Sequence, residues 1–366
     1  MMRILHCADI HLDSPFRRLD DPEKKKMRRQ ELVMAFRGML EDAADSRVSA
    51  VIIAGDLFDQ TKVSAFSKNA VLTEIKDHPE MTFYYLKGNH DKNDIFMEEE
   101  NLPGNFYMFD DSWTTYDLGE GIKLTGAELT LANSGTLYSE LMLDMDDFNI
   151  VTMHGQESVS MAGDRTEIVS IKDLRNKNID YLALGHIHSY KFEELDKRGS
   201  YCYPGCLEAR GFDETGVHGY MILDINGKTH EVKVERCCNP IRRVLENEVD
   251  ITGLMNTSDI IAKMEKDISK MRISDSDLLK IFLTGEVDPD CEKNLDYIGL
   301  RFASRFFDFK LKDTTRIRLD FDSYRLDRSL KGEFVRAVEA NESLTDSEKK
   351  EIIKIGILAL KGEEVD

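Results

Sequence analysis

The sequence predicts an α/β fold in which two sheets pack face to face with helices outside. Three observations carry that expectation. Residues 1 to about 236 read as strands alternating with helices and then as a run of shorter strands. Five apolar runs, Ile4–Ala8, Val48–Ala54, Thr82–Leu86, Phe148–Met153 and Tyr181–Leu184, each lead into a short segment rich in Asp, Asn, His and Gly. Beyond Pro240 a separate β-α-β-α-β pattern begins.

Taken in order, Ile4–Ala8 is the first expected strand. Lys24–Ser46 follows as a long helix, with Leu32, Val33, Phe36, Met39, Leu40 and Ala43 near helical spacing. Val48–Ala54 is a continuous apolar run, as expected for a strand covered on both faces. Ala65–Lys76 reads as a helix and Thr82–Leu86 as a strand. After Asn105 the strands shorten and alternate, as in Thr114–Leu118 and Ile122–Leu124. After His188 come Tyr190–Glu194, Tyr201–Tyr203, Gly219–Leu223 and Glu231–Glu235, separated by Gly-rich turns. A boundary is expected near Cys237-Cys238-Asn239-Pro240, giving a first domain over 1–236 and a small α/β domain over 240–322. Its elements are Arg242–Val249, Ser258–Met271, Leu278–Val287, Cys291–Ser304 and Phe306–Lys312. A tail over 323–366 carries two helices, Ser329–Ala340 and Thr345–Leu360, the second opening with the capping box Thr345-x-x-Glu348.

Bulk properties narrow the function classes. The 366 residues are enough for two or three domains. No run of about 18 apolar residues is present, so no membrane span is expected. Met1–Ala8 is too short before Asp9 for a signal peptide, and a cytoplasmic location is expected. The six cysteines form no C-x-x-C pair and no zinc pattern, so free thiols are expected. A net charge of −20 argues against a strong general nucleic-acid binder acting alone. Bound divalent cations would offset part of it, and a partner chain would supply much of any phosphate contact to DNA.

The five segments carry the chemistry: Asp9-Ile10-His11, Gly55-Asp56-Leu57-Phe58-Asp59, Gly88-Asn89-His90-Asp91, Met153-His154-Gly155 and Gly185-His186-Ile187-His188. They hold five of the nine histidines. Residues just past the carboxyl ends of strands gather along one edge of a sheet, where ligands bind. Asp9 and His11, and likewise His186 and His188, are expected to point to one face by alternation along an extended backbone. Asp56, after the small Gly55, is placed to bridge two ions. Asn89 offers a neutral carbonyl and His154 an imidazole. Oxygen and nitrogen donors without thiolate favour manganese, iron or magnesium over structural zinc. His90 is read as a general acid or transition-state donor held by Asp91. The basic cluster Arg17, Arg18, Lys24–Lys26, Arg28 and Arg29 is a candidate phosphate contact or a solvated face, and Arg210 is a second candidate substrate contact. His6 and His78 read as packing or surface residues, and His218 and His230 as structural residues in late strands.

At these residues the chain resembles the calcineurin-like metallophosphoesterases. It is similar in particular to the nuclease subunit of the bacterial SbcCD and the eukaryotic and archaeal meiotic-recombination nuclease complexes. Within that group Ala8–Pro15, Tyr203-Pro204-Gly205 and Glu214-Thr215-Gly216 look like the bacterial YhaO-type branch. The resemblance implies a two-sheet sandwich over 1–236, a capping domain over 240–322 and a partner-docking tail. It implies a first ion on Asp9, His11, Asp56 and His188 and a second on Asp56, Asn89, His154 and His186, about 4 Å apart, with His90 as catalytic histidine. It departs at Asp59, where many members carry His, which puts in doubt any proton-transfer role there.

The reading that follows is a manganese-dependent DNA exonuclease and endonuclease subunit in double-strand break repair. Its expected partner is an SMC-like coiled-coil ATPase (SbcC-like or YhaN-like), docked on residues 329–366, and a homodimer is a further expectation. The alternative is a small-molecule phosphatase or cyclic-nucleotide phosphodiesterase on the same core. A scaffold with a dead site is disfavoured by the complete ligand set. The tail's apolar positions are Leu330, Phe334, Val335 and Val338 in one helix and Ile352, Ile353, Ile355, Ile357, Leu358 and Leu360 in the other.

Overall fold

A computed structural model describes residues 1–59, 63–91, 96, 102–158, 167–318 and 326–360. The acidic run Glu98–Glu100, the expected boundary at 323 and the side chain of Leu358 lie outside the described residues. The chain forms two compact units, Met1–Val244 and Leu245–Asp366.

The first unit contains strands β1 (Met2–Cys7), β2 (Ala50–Ala54), β3 (Thr82–Leu86), β4 (Phe106–Met108), β5 (Thr114–Gly119), β6 (Ile122–Gly126), β7 (Phe148–His154), β8 (Gln156–Ser158), β9 (Ile168–Ser170), β10 (Tyr181–Gly185), β11 (Lys191–Glu194), β12 (Ser200–Tyr203), β13 (Tyr220–Asn226) and β14 (Glu231–Cys237). One six-stranded sheet has the order β14-β13-β1-β2-β3-β4 and the other β11-β12-β10-β7-β6-β5. In the first, β1 to β4 are parallel. In the second, β6, β7, β10 and β12 are parallel. Parallel strands buried on both faces read as unbroken apolar runs, and β2, β7 and β10 are buried at every position.

The core lies between the sheets. Ile4, Ile52, Leu86 and Leu223 from one meet Leu124, Phe148, Ile150 and Tyr181 from the other. The outer face of the second sheet packs Val151, Met153, Leu182 and Leu184 against Leu137 and Leu174 of two short helices. The helix Pro22–Asp45 buries Leu32, Val33, Phe36, Met39, Leu40 and Ala43, the stripe read from the sequence. Asp21 caps it by accepting from the backbone N–H groups of Glu23 and Lys24. The helix Ala65–Asp77 is capped by Ser64, which also donates to the buried carboxylate of Asp13.

Two expectations about charge and histidine change here. Arg28 is fully buried rather than phosphate-facing, bonded to Glu31, Glu208 and the Ala209 carbonyl. Arg242 joins the same group through Glu31, and the Ile241 N–H donates to Glu208, which fastens residues 241–242 to the first unit. His218 and His230 lie outside strands: His218 precedes β13, and His230 sits at φ +57 in the β13–β14 turn. Each is fixed by a hydrogen bond, His218 to the Glu214 carbonyl and His230 to Asp180. His6 is fully buried against Tyr181, and His78 pairs with Glu80. The six thiols are free, with Cys7, Cys202 and Cys206 buried. No helix among the described residues is long and apolar enough to cross a membrane.

The second unit holds a three-stranded sheet of β15 (Val244–Asp250, starting at the division), β16 (Leu278–Thr284) and β18 (Asp308–Asp313), and a small ladder of β17 (Glu286–Val287) with β19 (Arg316–Ile317). The helices Thr257–Ile268 and Leu295–Ala303 place Ile260, Met264, Ile298 and Phe302 on that sheet's Leu279, Ile281 and Leu283. The helices Leu330–Glu339 and Asp346–Ala359 share a core of Val335, Val338, Ile353 and Ile357, with Phe334 and Leu344 beside it. The capping box forms as expected: Glu348 accepts from the Thr345 N–H, and Thr345 Oγ1 accepts from the Glu348 N–H. Their other face leaves Leu330, Ile352, Ile355 and Leu360 exposed.

Candidate metal centre

The site begins with two loops laid side by side. Past β1, the N–H groups of Asp9, His11 and Leu12 donate to the carbonyls of Gly55, Asp56 and Leu57 past β2, at 3.1, 3.0 and 2.9 Å. Asp9, His11 and Asp56 take the left-handed φ values +51°, +52° and +53°. The expected extended alternation is therefore absent; the left-handed turns lay this loop along the Gly55–Leu57 carbonyls, and Asp9 and His11 still meet with His188 at one centre. His186, at φ +105°, is likewise not extended, and its N–H donates to both Asp9 carboxylate oxygens at 3.0 Å. Left-handed conformations cost about 1–2 kcal/mol per non-glycine residue. Their concentration here marks a backbone held in place for its side chains.

The two sheets meet closely at their carboxyl ends, and glycine makes the approach possible. A Cβ at Gly185 would lie 2.0 Å from the Ala54 carbonyl oxygen, and one at Gly55 (φ +93°) 2.1 Å from His154 Nδ1. His154 thereby donates Nδ1–H to the Ala54 carbonyl at 2.9 Å, which turns its Nε2 toward the site. His188 Nδ1 meets two groups of opposite demand, the acceptor Glu214 Oε1 at 2.7 Å and the donor Arg210 Nη2 at 3.1 Å, and the shorter contact to the carboxylate favours the proton on Nδ1.

All seven residues read as candidate ligands come together. Asp56 Oδ2 lies 3.8 Å from His11 Nε2 and 3.4 Å from His154 Nε2, between the two halves of the site. Its other oxygen accepts the His90 N–H at 2.9 Å. His11 Nε2 and His188 Nε2 face each other at 3.1 Å. Asn89 Oδ1 lies 3.0 Å from His154 Nε2 and 3.3 Å from His186 Nδ1. Asp9, His11 and His188 form one triad of donor atoms within 4.8 Å of one another, and Asp9, Asp56 and His154 form another.

His90 is held differently from the sequence expectation. Its Nδ1 pairs with Asp59 at 2.9 Å, while Asp91 turns inward to accept the N–H groups of Leu57, Phe58 and Gly88. Asp91 thus builds the loop that carries Asp56, and Asp59 is the partner of His90. Sequence reading undervalued Asp59; its signal was its place at the end of the Gly55–Asp59 motif. It missed Glu214 as a site residue, although the Glu214-Thr215-Gly216 motif contains it. Arg17 and Arg18 are exposed, with Arg18 paired to Asp213. Arg210 sits at the edge of the site, bonded to Asp59 at 3.0 Å and to Glu214 at 2.7 Å.

The electrostatics follow from dense packing of like and unlike groups. Burial raises the Asp9 carboxyl to about 6. Burial also works against charge on Asp56, yet His154 and then His11 hold its carboxyl well below the usual range. Burial opposes charge on His154 as well, but Asp56 and Asp9 carry its imidazole up to about 9. Burial, reinforced by Arg210, pushes His11 down to about 3. The hydrogen bond to Asp59 raises His90, and burial lowers His186. Facing imidazole nitrogens beside buried carboxylates are suited to hard or borderline cations.

Comparison with known proteins agrees with this geometry. The sequence profile of the calcineurin-like phosphoesterase family matches residues 2–190. The uncharacterized metallophosphoesterase YhaO of Bacillus subtilis is 27% identical over 284 residues, 74% of this chain and 68% of that protein. The DNA double-strand break repair protein Mre11 of Methanosarcina acetivorans is 25% identical over 69% of this chain, which spans 41% of that protein's length. Its counterpart in Aeropyrum pernix is 26% identical over 76% of this chain and 71% of that protein.

Proposed function

The chain belongs to the calcineurin-like phosphoesterase family, and we propose that it is a two-metal phosphodiester hydrolase acting on DNA. The observation that carries the reading is Asp56 Oδ2 lying between His11 Nε2 and His154 Nε2, one imidazole from each half of the site. The donors fit the ions: carboxylate, amide and imidazole atoms converge, and no thiolate takes part. Asp9, His11, Asp56 and His188 would hold the first ion, and Asp56, Asn89, His154 and His186 the second. Manganese is the proposed metal, with magnesium or iron as alternatives. When bound, the pair would neutralise phosphate charge and acidify a water to hydroxide near neutral pH.

The protein's own groups then act on the leaving side. Asp59 occupies His90 Nδ1, so Nε2 is turned outward on a half-exposed side chain. From there it can protonate the leaving oxygen or stabilise its developing charge. The His90 N–H bonded to Asp56 indexes that imidazole to the bridging carboxylate.

The relatives named as DNA double-strand break repair proteins support DNA as substrate in a break-repair role, and a cytoplasmic location is part of the same proposal. We assign nuclease chemistry to residues 1–236, substrate capping to 240–322, and docking of an SMC-like ATPase to the hairpin within 323–366, whose exposed Leu330, Ile352, Ile355 and Leu360 offer an apolar face. A small-molecule phosphodiesterase is the second reading. It is favoured by the charge of −20 and by Arg28 and Arg18 being engaged within the protein. Manganese-dependent turnover of linear duplex DNA against bis(p-nitrophenyl) phosphate separates the two. DNA cleavage abolished by Asp56→Ala supports the proposal; turnover of the small ester alone selects the second reading, and metal-independent or absent turnover overturns both.

A further inference from the structure

We propose that Arg210 and Glu214 form a positioning clamp tying the His188 imidazole on one side of the site to the Asp59–His90 pair on the other. The inference rests on the phosphodiesterase reading above. Both residues lie in the segment between β12 and β13, far in sequence from Asp59 and His90. Glu214 is buried, and its Oε1 takes His188 Nδ1–H at 2.7 Å and Arg210 Nη2–H at 2.7 Å. Its Oε2 accepts the Arg210 backbone N–H at 2.7 Å. Arg210 then donates through Nη1 to Asp59 Oδ2 at 3.0 Å, and Asp59 Oδ1 meets His90 Nδ1 at 2.9 Å. The chain His188, Glu214, Arg210, Asp59, His90 is thus continuous, with no link longer than 3.0 Å.

The segment is braced from behind. The Cys206 N–H donates to the His188 carbonyl at 3.0 Å. His218 Nδ1 faces the Cys206 thiol at 3.1 Å, and His218 Nε2–H donates to the Glu214 carbonyl at 2.9 Å. Ser14 donates to Asp59 Oδ2 at 2.8 Å, fixing the far end.

Chemistry explains the choice of residues. A planar guanidinium presents a fork of donors that can engage two carboxylates at once, whereas an ammonium is a point charge. Glu214 sets the tautomer and ring orientation of His188, the kind of support that tunes a ligand imidazole. Asp59, held by Arg210, keeps His90 oriented. Arg210 and Glu214 are positioning residues: their polar groups are committed to one another and to the site, not aimed at a substrate.

The test has three readouts. In metal-free protein, long-range ¹H–¹⁵N spectra should show His188 protonated at Nδ1, and Glu214→Gln should shift it toward a mixed tautomer. By calorimetry, Glu214→Gln should weaken manganese binding at one site by roughly 10–100-fold. In a double-mutant cycle on kcat at saturating manganese, Asp59→Asn and Glu214→Gln should be non-additive with Arg210 present and additive in an Arg210→Met background. Arg210→Lys should fail to restore the coupling. Additivity in both backgrounds, or an unchanged His188 tautomer and manganese affinity in Glu214→Gln, would overturn the clamp. If Glu214→Gln does not fold by circular dichroism, the cycle is run between Asp59→Asn and Arg210→Lys, with additivity again the overturning result. A wild-type protein without phosphodiesterase turnover counts against the proposed function, and the spectra and calorimetry still decide the clamp.

Discussion

Gly55→Ala should damage the site through one atom. Gly55 has φ +93°, and its added Cβ would lie 2.1 Å from His154 Nδ1, well inside the 3.4 Å at which ordinary contact begins. The imidazole must retreat by more than about 1 Å, which breaks its 2.9 Å bond to the Ala54 carbonyl. Gly119 is the internal control: its φ is +88°, and an added Cβ meets nothing within 4 Å. Both substitutions share the left-handed penalty of about 1–2 kcal/mol. Only Gly55→Ala adds the loss of a buried hydrogen bond, about 1–3 kcal/mol. At roughly 2–4 °C per kcal/mol for a unit of this size, Gly119→Ala should lower the melting temperature by about 2–8 °C and Gly55→Ala by about 4–20 °C. With Nε2 of His154 displaced, manganese affinity in Gly55→Ala should fall at least about tenfold at one site, the scale for a misoriented ligand. The assay pairs thermal unfolding in chelator with manganese calorimetry. Equal melting temperatures and wild-type manganese binding in both variants would refute the reasoning.

Other predictions use separate parts of the molecule. His90→Ala should keep manganese binding near wild type and cut kcat by about 100-fold or more, the scale for losing a general acid; an equal loss of manganese affinity would make His90 a ligand instead. His6 is buried and pushed down to about 3, whereas an unfolded imidazole titrates near 6.5. Below 6.5 the unfolded chain therefore binds a proton that the folded chain does not, and stability should fall as pH falls from 6.5 toward 3. The slope is about 1.4 kcal/mol per pH unit. Urea unfolding of metal-free protein at pH 6.5 and 4.5 should show wild type losing about 2–3 kcal/mol more than His6→Gln; identical losses would rule the contribution out. Deleting residues 329–366 removes a hairpin with its own core of Val335, Val338, Ile353 and Ile357. Hydrolysis of a simple phosphodiester should survive, while co-purification with the ATPase and ATP-stimulated cleavage of duplex DNA should be lost; unchanged partner affinity would end the docking proposal.

Much of the first unit was legible because its parallel strands are buried on both faces. Thr82–Leu86 is a strand with the bounds the apolar run indicated, and β2, β7 and β10 lie within a residue or two of theirs. The convergence of Asp9, His11, Asp56, Asn89, His154, His186 and His188 followed from placing each just past a strand end. Local conformation was not legible. Left-handed Asp9 and His11 are fixed by carbonyls about 45 residues away in the chain, and no local pattern encodes that neighbour. The partner of His90 failed for the same reason: Asp91 is adjacent in sequence but satisfies the backbone, while Asp59 arrives from the β2 loop. Arg28 looked like surface charge because, although Glu31 sits one turn along the same helix, the Glu208 carboxylate and Ala209 carbonyl that complete its buried setting lie 180 and 181 residues away. Periodicity reports which face is buried; it does not report which long-range partner a polar side chain will find there.

The central claim is that Asp56 joins two ion sites. Its direct test is anomalous diffraction from manganese-soaked crystals of the wild-type protein and of Asp56→Ala. The account predicts two manganese peaks in the wild type, both contacting Asp56, with Asn89 and His154 turned toward the second, and neither peak in the variant. A single wild-type ion, or two ions that persist in Asp56→Ala, would contradict it.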